Sequence, residues 1–236
     1  DALAQQILEE LESHSEHWRH RRAASQAIKG CAQVLKRLQD AERVTLLAID
    51  FSTFEEERSI PGDSVDLLTT GINMARGNAA ESLMILANQL DTNSRTWPDS
   101  LPSGLRLFSV DKNPAVRALL LHRLPYLQIC HPALGWELFE LAMHDTTKGL
   151  WAMAERCLYR GYHMRYDIVG PWLQRLYREG CGKDLETWGR ICALAALSKK
   201  LDQSTLLANL KTLNSEEAWL GAASVWTHPG NTQQHW

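Results

Sequence analysis

Helical periodicity runs through almost the whole of this 236-residue sequence, and it constrains the fold more than any other feature. Apolar residues recur at three- and four-residue spacing, which lines one face of an α-helix. Clear examples start at Leu3, Leu83 and Leu185. The one alternating run, residues 43–50, has helical flanks, so we assign it to a helix as well. The pattern predicts an all-α protein.

Helix breakers divide this pattern at short intervals. Pro61-Gly62 closes the first third, residues 97–104 are the most loop-like stretch, and Asn113 precedes Pro114. A proline is tolerated in the first helical turn because its missing N–H has no partner there in any case. The breakers predict about nine to eleven helices of roughly 10–17 residues, joined by short connections. No low-complexity linker is present. We therefore expect one helical-repeat domain over residues 1–236, with N-terminal helices in 1–60 and hairpins in 61–236.

Composition and charge exclude several classes of protein. Apolar residues make up 44% and charged residues 22%, which is typical of a folded chain. Lys and Arg number 25 against 28 Asp and Glu, a net charge of −3 that argues against a broad basic surface but not a local one. No apolar run approaches the roughly 20 residues of a bilayer span. Five scattered cysteines without a CxxC pair indicate free thiols in a reducing compartment. These features predict a cytoplasmic chain without membrane contact.

One short segment recurs along the chain. It combines an acidic or capping residue, an arginine and small apolar residues around Arg76, Arg117, Arg156 and Arg190, which are 41, 39 and 34 residues apart. This is the length of one helical hairpin repeat. Asp111, ahead of the Val-Arg pair that ends at Arg117, resembles the inner-helix start of HEAT repeats. The resemblance implies an αα-hairpin superhelix in which Asp and Arg link neighbouring repeats. The alternative is that arginine recurs by chance, as it does in any helical protein.

Two further segments resemble one particular group of proteins. They are Asp66–Leu83 and the tail from Trp219 to His235, and both are similar to the helical C-terminal regions of large bacterial antiphage-defence P-loop ATPases. The resemblance implies a non-catalytic region attached to a nucleotide-binding module. The chain itself has no GxxxxGK[ST] loop. Because it begins at Asp1 without a signal-peptide pattern, we expect it to be a piece of a larger protein.

Residues 159–166 mix tyrosines with arginine and histidine. Aromatic rings stack on bases and arginines bind phosphates, but the same residue types also form protein–protein hot spots. We expect a partner-binding surface on the inner helices, where the partner is a protein or another domain of the parent chain, and nucleic acid is the less favoured ligand. The candidate residues for this surface are Arg76, Arg117, Arg156, Arg160, His163, Arg165 and Arg190.

Catalytic and metal-binding motifs are absent from the sequence. There is no HExxH or GxSxG, so we assign no catalytic residue and no cofactor. His14, His17 and His20 have helical spacing for a metal ion, but neighbouring arginines would repel a cation, and a solvated face is the simpler interpretation. Five tryptophans have the pattern of bulky fillers between hairpins: Trp136, Trp151, Trp172, Trp188 and Trp219.

The favoured hypothesis is a non-catalytic interaction or scaffold module, with a simple helical spacer as a blander version of it. The alternative is a nucleic-acid-binding protein similar to the HEAT-like DNA glycosylases of alkylation repair. That alternative requires a positive groove built from a specific set of side chains, namely Arg117, Arg156, Arg160, Arg165, His163 and Trp188.

Overall fold

The computed structural model describes residues 2–19, 21–35, 37–53, 66–145 and 149–231, and over these residues the chain is all-α with no strand, as the periodicity predicts. The helices of the first half are α1 (Ala2–Ser13), α2 (Ser15–Trp18), α3 (Arg22–Val34), α4 (Leu38–Ser52), α5 (Leu67–Ile72), α6 (Ala75–Thr92) and α7 (Ser100–Ser109). Those of the second half are α8 (Pro114–Arg123), α9 (Pro125–Cys130), α10 (Pro132–Ala142), α11 (Leu150–Gly161), α12 (Tyr166–Glu179), α13 (Lys183–Leu197), α14 (Gln203–Leu213) and α15 (Glu216–Trp226).

Fifteen helices in the described residues exceed the nine to eleven that the sequence predicts. The difference comes partly from short helices of four to six residues, α2, α5 and α9, which the apolar pattern does not separate from their neighbours. Pro125, for example, starts α9 directly after α8 ends, because a proline cannot donate the next helical hydrogen bond. The alternating run at residues 43–50 lies within α4, as predicted. The break at Pro61-Gly62 lies outside the described residues.

Side-chain caps explain several helix starts. Asn113 accepts a hydrogen bond from the backbone N–H of Ala115 at 3.0 Å, and Pro114 occupies the first turn of α8, as the sequence predicts. Asp66 and Asp202 cap α5 and α14 in the same way. Each cap satisfies a backbone N–H that has no partner within its helix, which stabilises a start by about 1 kcal/mol.

The helices cluster into two compact units, Asp1–Thr147 and Lys148–Trp236, whereas the sequence, which has no linker, predicts one continuous array. In the first unit α6 is central and contacts α3, α4, α5, α7 and α8. In the second unit α13 is central and contacts α11, α12, α14 and α15. In both units the central helix contacts the helix that follows it and also the one after that. In this way α6 contacts α8 as well as α7, and α13 contacts α15 as well as α14.

In the second unit α13 and α15 cross closely, with glycines at the crossing. A Cβ atom added to Gly221 would lie 2.0 Å from the carbonyl oxygen of Glu186, and one added to Gly189 would lie 2.0 Å from that of Ala218. Ordinary van der Waals contact begins near 3.4 Å. Any side chain at either position would therefore force the two helices apart.

Tryptophans fill the core only in part. Trp136, Trp151 and Trp188 are buried, as the helical pattern predicts. Trp172 is half-buried, and Trp219 is 36% exposed. The prediction is wrong for Trp219 because α15 contacts α13 through its small residues, which leaves the indole on the other side of the helix.

Candidate functional site

Arg76, the first candidate residue, is bound within the first unit. Its Nε and Nη2 atoms donate to the Asp111 carboxylate at 2.9 and 2.5 Å. The other oxygen of Asp111 accepts the backbone N–H of Asn113 at 2.7 Å, which fixes the turn before α8. The pair therefore links the start of α6 to the connection between α7 and α8. An Asp–Arg link of this kind is what the HEAT resemblance implies, although it uses Arg76 and not the nearer Arg117.

Arg117 is 4% exposed and is bound to backbone carbonyls. Its Nη1 atom donates to the carbonyl oxygens of Ala142 at 3.0 Å and Asp145 at 2.6 Å. Burial lowers the pKa of the guanidinium, and the nearby charges of Asp145 and Asp111 oppose that change. Arg117 thus ties α8 to the carbonyl end of α10, where a positive charge is favourable.

Arg190 is held by two carboxylates of the second unit. It contacts Glu155 of α11, and its Nη2 atom lies 2.5 Å from Glu186, one turn earlier in α13. Thr187 donates to the other oxygen of Glu155 at 2.9 Å. The sequence places Arg156 and Arg190 near the starts of inner helices, but the structure places both in the middle of a helix. The interval between the arginines therefore does not mark equivalent positions in the helices.

The remaining candidates lie near the end of α11. Arg156, Arg160 and His163 are exposed, and none of them has an ion-pair partner among the described residues. Arg165 lies 3.3 Å from Asp167, a solvent-exposed contact that contributes little. Three of the seven candidate side chains, two guanidinium groups and one imidazole, are therefore available at the surface, while the other four have partners within the chain.

Apolar and aromatic groups accompany these free charges. Tyr159 is 51% exposed and Met164 is 75% exposed. The ring of Tyr162 packs between Tyr159 and His163, with centroid distances of 5.6 and 4.8 Å, so the exposed rings rest on a fixed support. Burial raises the pKa of Tyr162, which keeps its hydroxyl neutral.

We call the exposed residues Arg156, Tyr159, Arg160, His163 and Met164 the α11 ridge. Arg156, Tyr159 and Arg160 lie within one helical turn of each other and share one side of α11, and His163 and Met164 belong to the turn that follows Gly161. The arrangement offers two fixed positive charges, an imidazole and exposed apolar surface. Exposed guanidinium groups beside apolar surface are suited to binding an acidic partner.

Sequence reasoning missed two clusters of the first unit. Glu81 is buried in α6 and receives Lys29 at 2.7 Å from α3 and Arg123 from α8. Burial acts to raise the pKa of Glu81, but the hydrogen bonds from Lys29 and Arg123 outweigh it and hold the pKa below its usual range. In the sequence Glu81 is 52 positions from Lys29 and 42 positions from Arg123, so no spacing rule could have found this cluster.

The second missed cluster surrounds Asp91 at the end of α6. Its carboxylate accepts hydrogen bonds from the indole of Trp97 at 2.8 Å and the hydroxyl of Tyr126 at 3.2 Å, and it lies 2.8 Å from Nε2 of His131. The Trp97 and His131 rings also pack together, with centroids 4.4 Å apart. The cluster fastens α6 to α9 and to the start of α10.

Metal binding at the N-terminal histidines gains no support. His14 lies 3.2 Å from Glu10, and the His17 ring packs against Trp18. His20 lies outside the described residues. Across the part of the chain that the structure describes, no three His, Cys, Asp or Glu side chains are grouped so that they could hold a metal ion.

The first segment with a family resemblance has a clear packing role. Residues 66–83 form α5, the turn after it and the first half of α6. A Cβ atom on Gly77 would lie 2.0 Å from the carbonyl oxygen of Gly71, and Asn78 donates to the carbonyls of Ile72 and Met74. The segment is thus suited to a tight turn. In the second segment, residues 219–231 cover most of α15 and the short stretch that follows it, and residues 232–235 lie outside the described part.

Comparisons with protein-family models, with curated proteins and with solved structures find no match to this chain. Of the helices in the described ranges, none combines the length and the apolar character needed to cross a bilayer.

Proposed function

We propose that this chain is a non-catalytic helical-repeat interaction module that binds an acidic protein surface through the α11 ridge. A single observation carries the proposal. Arg156 and Arg160 have no ion-pair partner among the described residues, and the nearby Glu155 is already bound to Arg190 and Thr187. A local positive charge therefore persists on a chain whose net charge is −3.

Exposed apolar surface favours a protein partner. Tyr159 and Met164 expose more than half of their surface beside the arginines. Tyrosine and arginine are enriched among residues that contribute most to protein–protein binding, and methionine adapts to irregular surfaces. Positive charges at the rim of such a contact speed association with an acidic partner.

The repeat architecture and the parent protein are part of the same proposal. Contacts between next-but-one helices, such as α11 with α13 and α13 with α15, support HEAT-like hairpins within each unit. The Arg76–Asp111 pair adds to that support. The assignment to the sensor or assembly region of a bacterial defence ATPase rests on the sequence resemblance of residues 66–83 and 219–235.

The proposal is tested by site-specific photo-cross-linking in the cells that produce the protein. A photoreactive phenylalanine analogue replaces Tyr159, and the matched control carries it at Leu220, which is 56% exposed in the same unit. We expect a discrete protein adduct at position 159 and none at position 220. The double variant Arg156→Gln with Arg160→Gln removes the adduct. Adducts of equal yield at both positions would contradict the proposal.

Nucleic acid is the second candidate, and the uncompensated charge of Arg156 and Arg160 favours it too. However, two residues that the glycosylase-like alternative requires, Arg117 and Trp188, are buried. Binding to DNA and RNA measured between about 50 and 200 mM salt separates the candidates. If the ridge binds duplex phosphates, the negative slope of log K against log salt becomes shallower by about 0.9 for each arginine removed. We expect no such complex at micromolar protein.

A further inference from the structure

A groove with aromatic walls lies between α12, α13 and α14, entirely within the second unit. Its volume is about 350 Å³. The half-buried rings of Tyr166 and Tyr177 line it together with Leu173 and Leu201, and the buried ring of Trp188 also borders it. The Tyr177 and Trp188 rings lie 5.4 Å apart and are tilted by 52°. The size falls in the range of small-molecule sites, and so does the lining, which is mostly aromatic and apolar with a few polar groups.

Arg178 gives this groove its charge. Among the described residues it is the only charged one that lines the groove, it is exposed, and none of their carboxylates pairs with it. The nearest arginine on the same helix, Arg175, differs in this respect because it is bound to Glu179 at 2.9 Å. Asn209 and Gln174 add amide groups to the lining. The groove thus combines flat apolar walls with one unneutralised positive charge and neutral hydrogen-bonding groups.

These features define the chemistry of an occupant. Aromatic walls suit a planar ring, because ring stacking adds to the free energy of apolar burial. Aromatic walls alone would also suit a cation, but the Arg178 guanidinium repels one. An anionic group next to Arg178 gains a charge-assisted hydrogen bond that a neutral group does not.

We propose that the groove binds a small planar aromatic anion, with its ring against Tyr177 and its negative group at Arg178. The site is separate from the α11 ridge and does not depend on the function proposed above. Tyr166 completes the site. Burial raises the pKa of its hydroxyl, so the group stays neutral and can donate a hydrogen bond to the anion.

The test uses the full chain and three probes of one shape: 2-naphthoate, neutral 2-naphthamide and cationic 2-naphthylmethylammonium. Binding is measured by isothermal titration calorimetry and by ligand-observed NMR. We expect 2-naphthoate to bind with Kd below about 1 mM, the range open to a ligand of this size. We expect the amide to bind about tenfold more weakly, and the cation not to bind.

Variants locate the site. Arg178→Gln lowers 2-naphthoate affinity about tenfold and leaves amide binding unchanged. The matched control Lys211→Gln, which removes an exposed charge from α14 outside the groove, leaves both unchanged. Tyr177→Leu weakens all binding, and circular dichroism verifies that this variant stays folded. If it does not, Gln174→Trp, at an exposed position of the lining, blocks the groove in its place.

Three results would overturn the proposal. They are the absence of 2-naphthoate binding below about 1 mM, equal affinity for the amide and the anion, and equal affinity in Arg178→Gln and the parent chain. None of them bears on the ridge, because Arg178→Gln leaves Tyr159 and its cross-linking intact. Failure of this proposal is therefore distinguishable from failure of the proposed interaction function.

Discussion

The crossing of α13 and α15 predicts that Gly221→Ala destabilises the second unit, although alanine favours a helix. In an open helix, exchanging glycine for alanine stabilises by about 1 kcal/mol. At position 221 the new methyl carbon would lie 2.0 Å from the Glu186 carbonyl oxygen and 2.9 Å from the Arg190 nitrogen. Both atoms belong to the backbone, so no side-chain rotation can relieve the contact.

The size of the effect follows from the separation that the helices need. The contact must lengthen from 2.0 Å to about 3.4 Å, which moves α15 away from α13 by more than 1 Å. A shift of that size removes much of the van der Waals attraction across the crossing. Overpacking of a core costs about 1–3 kcal/mol. We take the upper end, about 3 kcal/mol, as the cost of overpacking here because the atoms in contact are backbone. The better helix propensity of alanine offsets about 1 kcal/mol of that cost. The net loss is about 2 kcal/mol.

The assay is thermal and urea unfolding followed by circular dichroism. For a unit of this size, a loss of about 2 kcal/mol lowers Tm by roughly 8–16 °C. Hydrogen exchange of peptides from α13 and α15 assigns the change to the second unit. The matched control is Gly30→Ala in α3, where nothing lies within 4 Å of an added Cβ. It is expected to raise the stability of the first unit by up to about 1 kcal/mol.

Equal behaviour of the two alanine variants would refute this reasoning. If Gly221→Ala raises Tm as Gly30→Ala does, the two helices are not in contact at this glycine. A fall in Tm with unchanged hydrogen exchange in α13 and α15 would also contradict it, because the damage would then lie elsewhere in the chain.

Three other predictions concern charged and reactive groups. Glu81→Gln leaves two basic partners without a counter-charge, and we expect it to lower the free energy of unfolding, measured in urea, by about 2 kcal/mol. The control Glu137→Gln, in an exposed ion pair, should lower it by less than about 1 kcal/mol. Because the pKa of Glu81 is lowered in the folded chain, its contribution to stability is present above about pH 4.3 and is lost as the pH falls further. Glu81→Gln should abolish that part of the pH dependence of stability. Asp91→Asn removes a charged acceptor, so we expect it to lower the free energy of unfolding by about 2 kcal/mol and to change the fluorescence of Trp97. Unchanged unfolding would show that the Asp91 cluster contributes nothing to stability. Native protein should react with a thiol reagent at the exposed Cys130 and Cys181 only, since the other three thiols are buried; more than two fast equivalents would disagree with the structure.

Local features of this fold were predictable from the sequence, because they depend on neighbours along the chain. The helical character of residues 43–50 follows from their flanks, and the start of α8 follows from Asn113 and Pro114. Burial of Trp136 follows from its apolar pattern. Each of these outcomes is fixed within about one helical turn of sequence.

Pairing between distant helices was not predictable in the same way. Arg76, Arg117 and Arg190 look alike in sequence, yet they bind a carboxylate in a turn, two backbone carbonyls and two glutamates, respectively. Which partner each one meets depends on helix packing over 25 to 35 residues. Spacing between arginines therefore gave candidates for a surface but could not separate those that stabilise the fold from those that remain free.

Net charge illustrates the same point and bears directly on function. A net charge of −3 describes the whole chain, but carboxylates that are already paired cannot neutralise a distant arginine. Glu155 lies next to Arg156 in sequence, and its oxygens are already bound to Arg190 and Thr187. The charge of Arg156 is therefore not neutralised by its nearest carboxylate, and Arg178 in the groove has no carboxylate partner among the described residues. Both places where we propose binding are positive because of how the helices pair their charges, so an acidic chain can still present local sites for anions.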